Sequence, residues 1–318
     1  MIKVGIIGCK NLYATELVRI LINHPDVELM WVSDARLADR HLDEVVPGIV
    51  GECDLTVQRD YTLDGVDLID LCGNREEVST RLGALDVPED VGVIDLSGSH
   101  NLDHGEEKPW RYGLSEMQRR LLVHGSRMVT VPGNAAAVSL LALMPMARNL
   151  LLNSPLTLQV AMGVSALPDD GKTIDGMIVE AWARDQQQEV AMALGMCQSS
   201  FSQPVTLNIT PLAERRTLAV AARFRCGVDD DSIRQLYEQY YDDHNFVFMV
   251  DRPILTADVE NTNKCLIRIT KDEATGEVTI HAVMDVLLKG CAGTAVHAMN
   301  LMFGLHEKAG LALKGSGC

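Results

Sequence analysis

The sequence predicts an α/β protein: a doubly wound parallel sheet, followed by a second α+β domain built on a mostly antiparallel sheet. Three observations carry this prediction. Residues 1 to 133 alternate short β-rich runs with amphipathic stretches, the order that parallel strands with crossover helices require. A glycine-bearing loop, GIIGCKNLYATEL, joins the first run to the first amphipathic stretch, where a helix N-terminus can hold a pyrophosphate. Beyond Asn134 the texture changes to longer runs with period-two alternation, as in half-exposed antiparallel strands.

Taken in order, the first half reads KVGII, LYATELVRILINH, ELMWVS, VDLIDLC, VGVIDLS and RMVTV. Leu17, Ile20 and Leu21 recur at helical spacing, and the β-rich runs are continuously apolar, as strands covered on both faces must be. A Rossmann-type nucleotide fold follows. RMVTV ends in Pro132-Gly133 and opens into a long apolar helix, leaving backbone N–H groups at a turn where the helix dipole favours an anion. A thiol at that turn would become a thiolate. Further on, Leu218, Val220, Ala222 and Phe224 share one strand face, and so do Val278, Ile280, Ala282 and Met284. Polar helices are expected over Ile174 to Met196 and Asp230 to Asp242, and a last helix over Gly290 to Leu305.

Composition narrows the function classes. With 318 residues, 47% of them apolar, the chain has material for two packed domains. No basic apolar leader opens it and no apolar run reaches bilayer length, so a cytoplasmic location is expected. A formal charge of −16, without a Lys/Arg cluster, argues against nucleic acid or an anionic membrane as partner. The eight cysteines show no CxxC spacing and are expected to be reduced core residues, with no metal site.

Five landmarks in order resemble the N-acetyl-gamma-glutamyl-phosphate reductase family: TELVRILINHPDVEL, VIDLSGSH, YGLSE, PGN and MDVLLKGCAG. The likeness runs from MIKVGIIG to VLLKGCAGTAVHAMNLMFGL. It implies an NADPH-dependent reduction of an N-acyl-glutamyl 5-phosphate to the semialdehyde, in arginine biosynthesis. The fold it implies places residues 1–133 and 291–318 in a dinucleotide-binding domain and 134–290 in a substrate and dimerisation domain. A homo-oligomer is part of the same expectation.

The resemblance also defines what is missing. The family's nucleophile is the Cys of Pro-Gly-Cys, and here that position is Asn134, a carboxamide that cannot displace phosphate. Aligning the family's helix glutamate with Glu189 puts Gln186 where the family has its acid/base His, and Gln transfers no proton. After VIDLS the family has an Arg, whereas this chain reads Gly98, Ser99, His100, Asn101. The loop GVSALPDDG, with Asp169 and Asp170, would oppose an anionic substrate. In the cofactor loop the family pattern GxxGxxG keeps Gly8 but becomes Asn11 and Ala14. The expected contacts to NADP or NAD are Gly8, Lys10, Asn11, Leu12, Ser33, Asp34, Arg36, Cys72 and Gly293. Asp34 is placed to accept from a ribose 2′-hydroxyl, while Ser33 and Arg36 would suit a 2′-phosphate.

Substitute groups remain. Cys291, at the start of the last helix, is the best alternative thiol, since a helix N-terminus lowers a thiol pKa. Cys72 and Cys9 lie near the same crevice, and His100 and His297 are possible proton donors. Three readings stay open: a pseudoenzyme that binds a metabolite or regulates an active paralogue, a reductase working through another residue, and a dehydrogenase without a covalent intermediate.

Overall fold

The computed structural model describes residues 1–103, 108–163 and 176–315. Two compact units emerge: Met1–Pro132 with Cys291–Ala312, and Gly133–Gly290 with the terminal segment from Leu313.

In the first unit the elements are β1 (Ile2–Ile7), α1 (Leu12–Leu21), β2 (Val27–Ser33), α2 (Leu42–Val45), β3 (Leu68–Leu71), α3 (Arg75–Ala84), β4 (Gly92–Asp95), β5 (Trp110–Tyr112), α4 (Ser115–Val123) and β6 (Met128–Thr130). All six strands are parallel, in the order β2-β1-β3-β4-β6-β5. The order reverses between β1 and β3, and the crevice beyond the carboxyl ends of those strands is where such sheets take ligands. Every residue of β3 and β4 is buried, which is why these runs lack a period-two alternation, and each carries one buried aspartate, Asp70 and Asp95. Ile7, Trp31, Ile69, Leu71, Val93 and Trp110 belong to one core cluster. The short edge strand β5 is not legible as a β-run in sequence, because three residues show no period.

Gly8 is the residue that the crevice depends on. Its φ is +90°, and a Cβ added there would lie 2.2 Å from the Cys72 carbonyl oxygen, so only glycine lets the β1 loop meet the end of β3. Asn11 ties the same two segments together, its Nδ2 donating to Cys72 O at 3.3 Å. It is also the N-cap of α1, accepting from Ala14 N at 2.8 Å with an extended backbone. With Asn11 extended, no left-handed residue is used at this position of the loop.

The second unit contains α5 (Asn134–Arg148), β7 (Leu156–Gly163), α6 (Gly176–Cys197), β8 (Val205–Leu212), β9 (Thr217–Arg225), α7 (Asp230–Tyr241), β10 (Val247–Met249), β11 (Cys265–Asp272) and β12 (Glu277–Asp285). Its sheet is mixed, ordered β10-β11-β12-β9-β7-β8, with the β10–β11 and β7–β8 pairs parallel and the rest antiparallel. The two alternating sets face each other in register, Leu218 with Met284, Val220 with Ala282, Ala222 with Ile280 and Phe224 with Val278, and all eight are buried.

Helix α5 is buried along its length from Asn134 to Ala147 despite Pro145 in its interior. Proline has no N–H for the carbonyl four residues back, Leu141 O. Tyr241 Oη supplies that donor at 2.5 Å, and Tyr237 Oη donates to Ala142 O at 2.5 Å. Two tyrosines of α7 thus satisfy the backbone that the proline disrupts. The chain closes with a π-helical turn over 288–292 and α8 (Gly293–Met302), so the last regular helix begins three residues later than Gly290.

Candidate active site

The α5 turn is built wholly within the second unit. Strand-like Gly133 caps α5, and Asn134 is its first residue, buried. Two of the backbone N–H groups at this helix end are already taken. Gly133 N donates to Glu189 Oε1 at 2.9 Å, and Ala136 N donates to Gln186 Oε1 at 3.0 Å. Both side chains come from α6 and are buried. Gln186 packs so tightly on the turn that a Cβ on Gly133 would meet its Nε2 at 2.0 Å, which explains the glycine. Across the turn lies Gly290, whose added Cβ would come 3.5 Å from Asn134 Oδ1.

Two side chains of the protein itself thus occupy part of the anion site expected at this helix end. Gln186 and Glu189 meet the same turn as Asn134, and sequence reasoning missed that they cap it. The signal available was Glu three residues after Gln on one amphipathic helix face. Asp169 and Asp170 lie outside the described residues.

In the first unit, the expected ribose acceptor is occupied. Asp34 is fully buried, and Oδ1 accepts from Arg36 N at 3.1 Å and Arg36 Nε at 3.0 Å. Its Oδ2 accepts from Arg36 Nη2 at 3.1 Å and Cys9 N at 3.2 Å. Four donors exhaust a carboxylate's lone-pair sites. Burial would raise the Asp34 carboxyl, but the Arg36 and Cys9 hydrogen bonds outweigh it and hold it below its ordinary range. Arg36 is held in turn by Glu77, Nη1 to Oε1 at 3.1 Å. Ser33 is buried with its hydroxyl donating to Arg59 O at 3.3 Å, and Arg36, though exposed, is engaged by Asp34 and Glu77, so neither is uncommitted for a 2′-phosphate in this arrangement. Glu77 was not foreseen, although Asn74-x-x-Glu77 is a helix-start pattern, with Asn74 Oδ1 accepting from Glu77 N at 2.9 Å.

Lys10 is exposed, Leu12 half-buried and Gly293 buried at the start of α8. Cys9, Cys72 and Cys291 are buried around the same strand ends. Burial, with Asp34 adding to it against Arg36, pushes the Cys9 thiol up to about 12. Burial first, then Asp70, Cys291, Asp95 and Cys9, pushes Cys72 well up. Cys291 is raised by burial and by Asp95, the direction opposite to the lowering expected from a helix N-terminus. The reason is that it sits in the π-turn ahead of α8, fully desolvated, rather than at a solvated first turn.

His100 is better placed than the sequence suggested. Its Nδ1 lies 2.9 Å from Asp95 Oδ2 at the carboxyl end of β4, and its ring stacks on Trp110 at 4.0 Å between centroids and 16° between planes. His297 is buried in α8, Nε2 lying 2.9 Å from Glu307 Oε2 and Nδ1 4.0 Å from Glu116 Oε1. Among the described residues, no group of three His, Cys, Asp or Glu side chains could hold a metal, and no helix is long and apolar enough to cross a membrane.

Comparison with known proteins agrees with this layout. Residues 3–124 match the family described as semialdehyde dehydrogenase, NAD binding domain, and residues 185–285 match semialdehyde dehydrogenase, dimerisation domain. The chain is 35% identical over 326 residues to the N-acetyl-gamma-glutamyl-phosphate reductase of Parabacteroides distasonis, and 33% identical over 324 residues to that of Phocaeicola vulgatus, with 99% of each chain covered in both cases. Among solved structures, aspartate semialdehyde dehydrogenase II complexed with ASA from Vibrio cholerae gives a TM-score of 0.73 at 13% identity, over 96% of this chain and 98% of that one. Aspartate semialdehyde dehydrogenase with NADP from Candida albicans gives 0.68 at 12%, over 98% and 99%. At these identities the structures speak for the fold, while the full-length sequence relatives decide the family. The chain belongs to the N-acetyl-gamma-glutamyl-phosphate reductase family, with the semialdehyde dehydrogenase fold.

Proposed function

We propose that this chain is a family member that has given up acyl-phosphate reduction and acts as a ligand-binding relative, either sensing a small metabolite or regulating an active paralogue. The observation that carries this reading is the sealed head of α5: Asn134 stands at the nucleophile position, and Glu189 and Gln186 accept the N–H groups of Gly133 and Ala136. Thiolate catalysis needs sulfur at that position and donors free to hold a developing oxyanion. A carboxamide supplies no such nucleophile. The thiols that might take its place are protonated by burial, as Cys291 and Cys72 illustrate.

In this reading residues 1–133 and 291–318 still bind NAD or NADP through the Gly8 loop, and 134–290 provide the surface for a homo-oligomer in the cytoplasm. The loop keeps what a dinucleotide needs: Gly8 lets the β1 loop close on the end of β3, and α1 presents its N-terminus just beyond. When bound, the nucleotide would supply hydride chemistry, and this chain's residues would only hold and orient it.

The test is phosphate-dependent NADP reduction with N-acetyl- or N-succinyl-glutamate semialdehyde, run on wild type and Asn134→Cys. Wild type is expected to show no turnover. Turnover in wild type that disappears in Cys291→Ser would replace this reading with a relocated thiol, and a nucleotide titration by calorimetry decides whether NAD, NADP or neither binds.

A further inference from the structure

We propose that Asp95 and His100 form a binding site for the hydroxyl group of a small ligand at the carboxyl edge of the parallel sheet, with His100 Nε2 as the accepting atom. The inference rests on the reading above, in which the nucleotide-binding sheet is kept while thiol chemistry is not.

The pair is built in a way that a solvated histidine is not. Asp95 is fully buried, and its two oxygens divide their work. Oδ1 accepts from Ser97 N at 2.8 Å and Ser97 Oγ at 2.6 Å, while Oδ2 faces His100 Nδ1 at 2.9 Å. In the neutral ring, a carboxylate at that distance holds the proton on Nδ1 and leaves the lone pair on Nε2. Trp110 from β5 fixes the ring plane. Ser97 and Ser99 share a hydroxyl contact at 2.7 Å, and Ser99 Oγ donates to Arg75 O at 2.9 Å, which anchors the turn to α3. Gly98 completes the device with a φ of +74°, and an added Cβ would sit 3.6 Å from Arg75 Nε and Nη2. The charged and titratable groups that face the pair are therefore Asp95 from β4, Arg75 from α3 and the thiols of Cys72 and Cys291 beside Asp95.

After these contacts Nε2 has no hydrogen-bond partner among the described residues, and the side chain keeps 13% of its surface exposed. Position supplies the second argument. Asp95 ends β4, one strand from the point where the sheet order reverses, and ligands of doubly wound sheets bind at this edge. The buried thiols at the same edge are protonated and poor acceptors, so His100 is the group there with a lone pair presented in fixed geometry. A lone pair held in this way accepts a hydrogen bond, and the donor proposed here is a hydroxyl: that of a nucleotide's ribose, or of a separate metabolite.

The experiment uses the full chain labelled with ¹⁵N-histidine. Signals of His100 are those missing from His100→Gln, and long-range imidazole spectra read which nitrogen carries the proton. The expected tautomer is Nδ1–H, and Asp95→Asn, checked for folding by its thermal melt, is expected to lose that preference. Three probes are then added separately: NAD⁺, NADP⁺ and N-acetyl-5-hydroxynorvaline, an amino acid with a primary alcohol. At ten times its Kd, the bound probe should move the Nε2 resonance and slow diethyl pyrocarbonate modification of His100 by about tenfold. Protection by a dinucleotide alone assigns a ribose hydroxyl, and protection by the amino alcohol alone assigns a metabolite. The Nε2–H tautomer in wild type, or no protection by any of the three, overturns the proposal. Phosphate-dependent turnover in the separate assay would sink the reading of lost catalysis without touching the His100 result.

Discussion

Removing the Glu189 carboxyl should expose the α5 turn as an anion site, and a small carboxylate should refill it. In Glu189→Ala, Gly133 N loses its acceptor at a buried position, a loss of about 1–3 kcal/mol. The one buried methylene lost adds about 0.8 kcal/mol. The sum is about 2–4 kcal/mol, which at roughly 2–4 °C per kcal/mol lowers the melting temperature by about 4–16 °C. Glu189→Gln keeps an oxygen acceptor and should cost less than about 1 kcal/mol. Formate at ten times its Kd stabilises whatever binds it by RT ln 11, about 1.4 kcal/mol. Differential scanning fluorimetry of the three proteins with and without formate reads all of this. A rise of several degrees confined to Glu189→Ala is the expected result. If wild type gains as much as the variant, or if Glu189→Ala melts with wild type, the helix end is not sealed by Glu189 and the argument for lost anion binding fails.

Four other outcomes follow from particular contacts. Gly8→Ala forces a Cβ to within 2.2 Å of Cys72 O at positive φ, so it should cost more than about 2 kcal/mol and abolish nucleotide binding in the same calorimetric titration. Asp70 is buried with no partner for Oδ1 among the described residues, and burial raises its carboxyl to about 8. An unfolded carboxyl loses its proton near 4, so between about pH 4 and pH 8 the folded state binds more protons; its stability relative to Asp70→Asn should fall by about 1.4 kcal/mol per pH unit at most, levelling off above 8, as denaturation midpoints at pH 5 and 8 would read. Release of Arg36 by Asp34→Asn with Glu77→Gln should improve NADP over NAD binding by roughly tenfold, the value of one charge-assisted contact; an unchanged ratio would show that Arg36 is not near the 2′ position. Iodoacetamide at pH 8 should label half-buried Cys53 well before Cys291, and early labelling of Cys291 would identify it as a thiolate after all.

What could be read from the chain without coordinates was whatever repeats along it. Strands β9 and β12 are legible because period-two apolar sets cannot be hidden, and their register follows from facing those sets together. Helix α7 is legible because Asp229 starts it, its side chain accepting from Ser232 N, and Tyr237 and Tyr241 share its buried face. The sealing of α5 is not legible, because Gly133 and Glu189 are separated by 56 positions and only a folded α6 makes them neighbours. Asp34 shows the limit most clearly. Its position at the end of β2 made it a ribose acceptor by sequence logic, yet Arg36, two residues on, is long enough to curl back and take both oxygens. Sequence spacing gives reach, and only coordinates show which of the reachable partners has won. The same contrast separates Cys291 from His100. Cys291 was favoured as the start of the last helix, but it lies in the π-turn ahead of α8, and burial raises its thiol. His100 looked like an ordinary loop histidine until Asp95, five residues earlier, was seen to hold it. A residue's chemistry here is set less by its type than by which buried group spends its lone pairs on it, and that is why the carboxamide at position 134 and the imidazole at position 100 have to be argued from their neighbours.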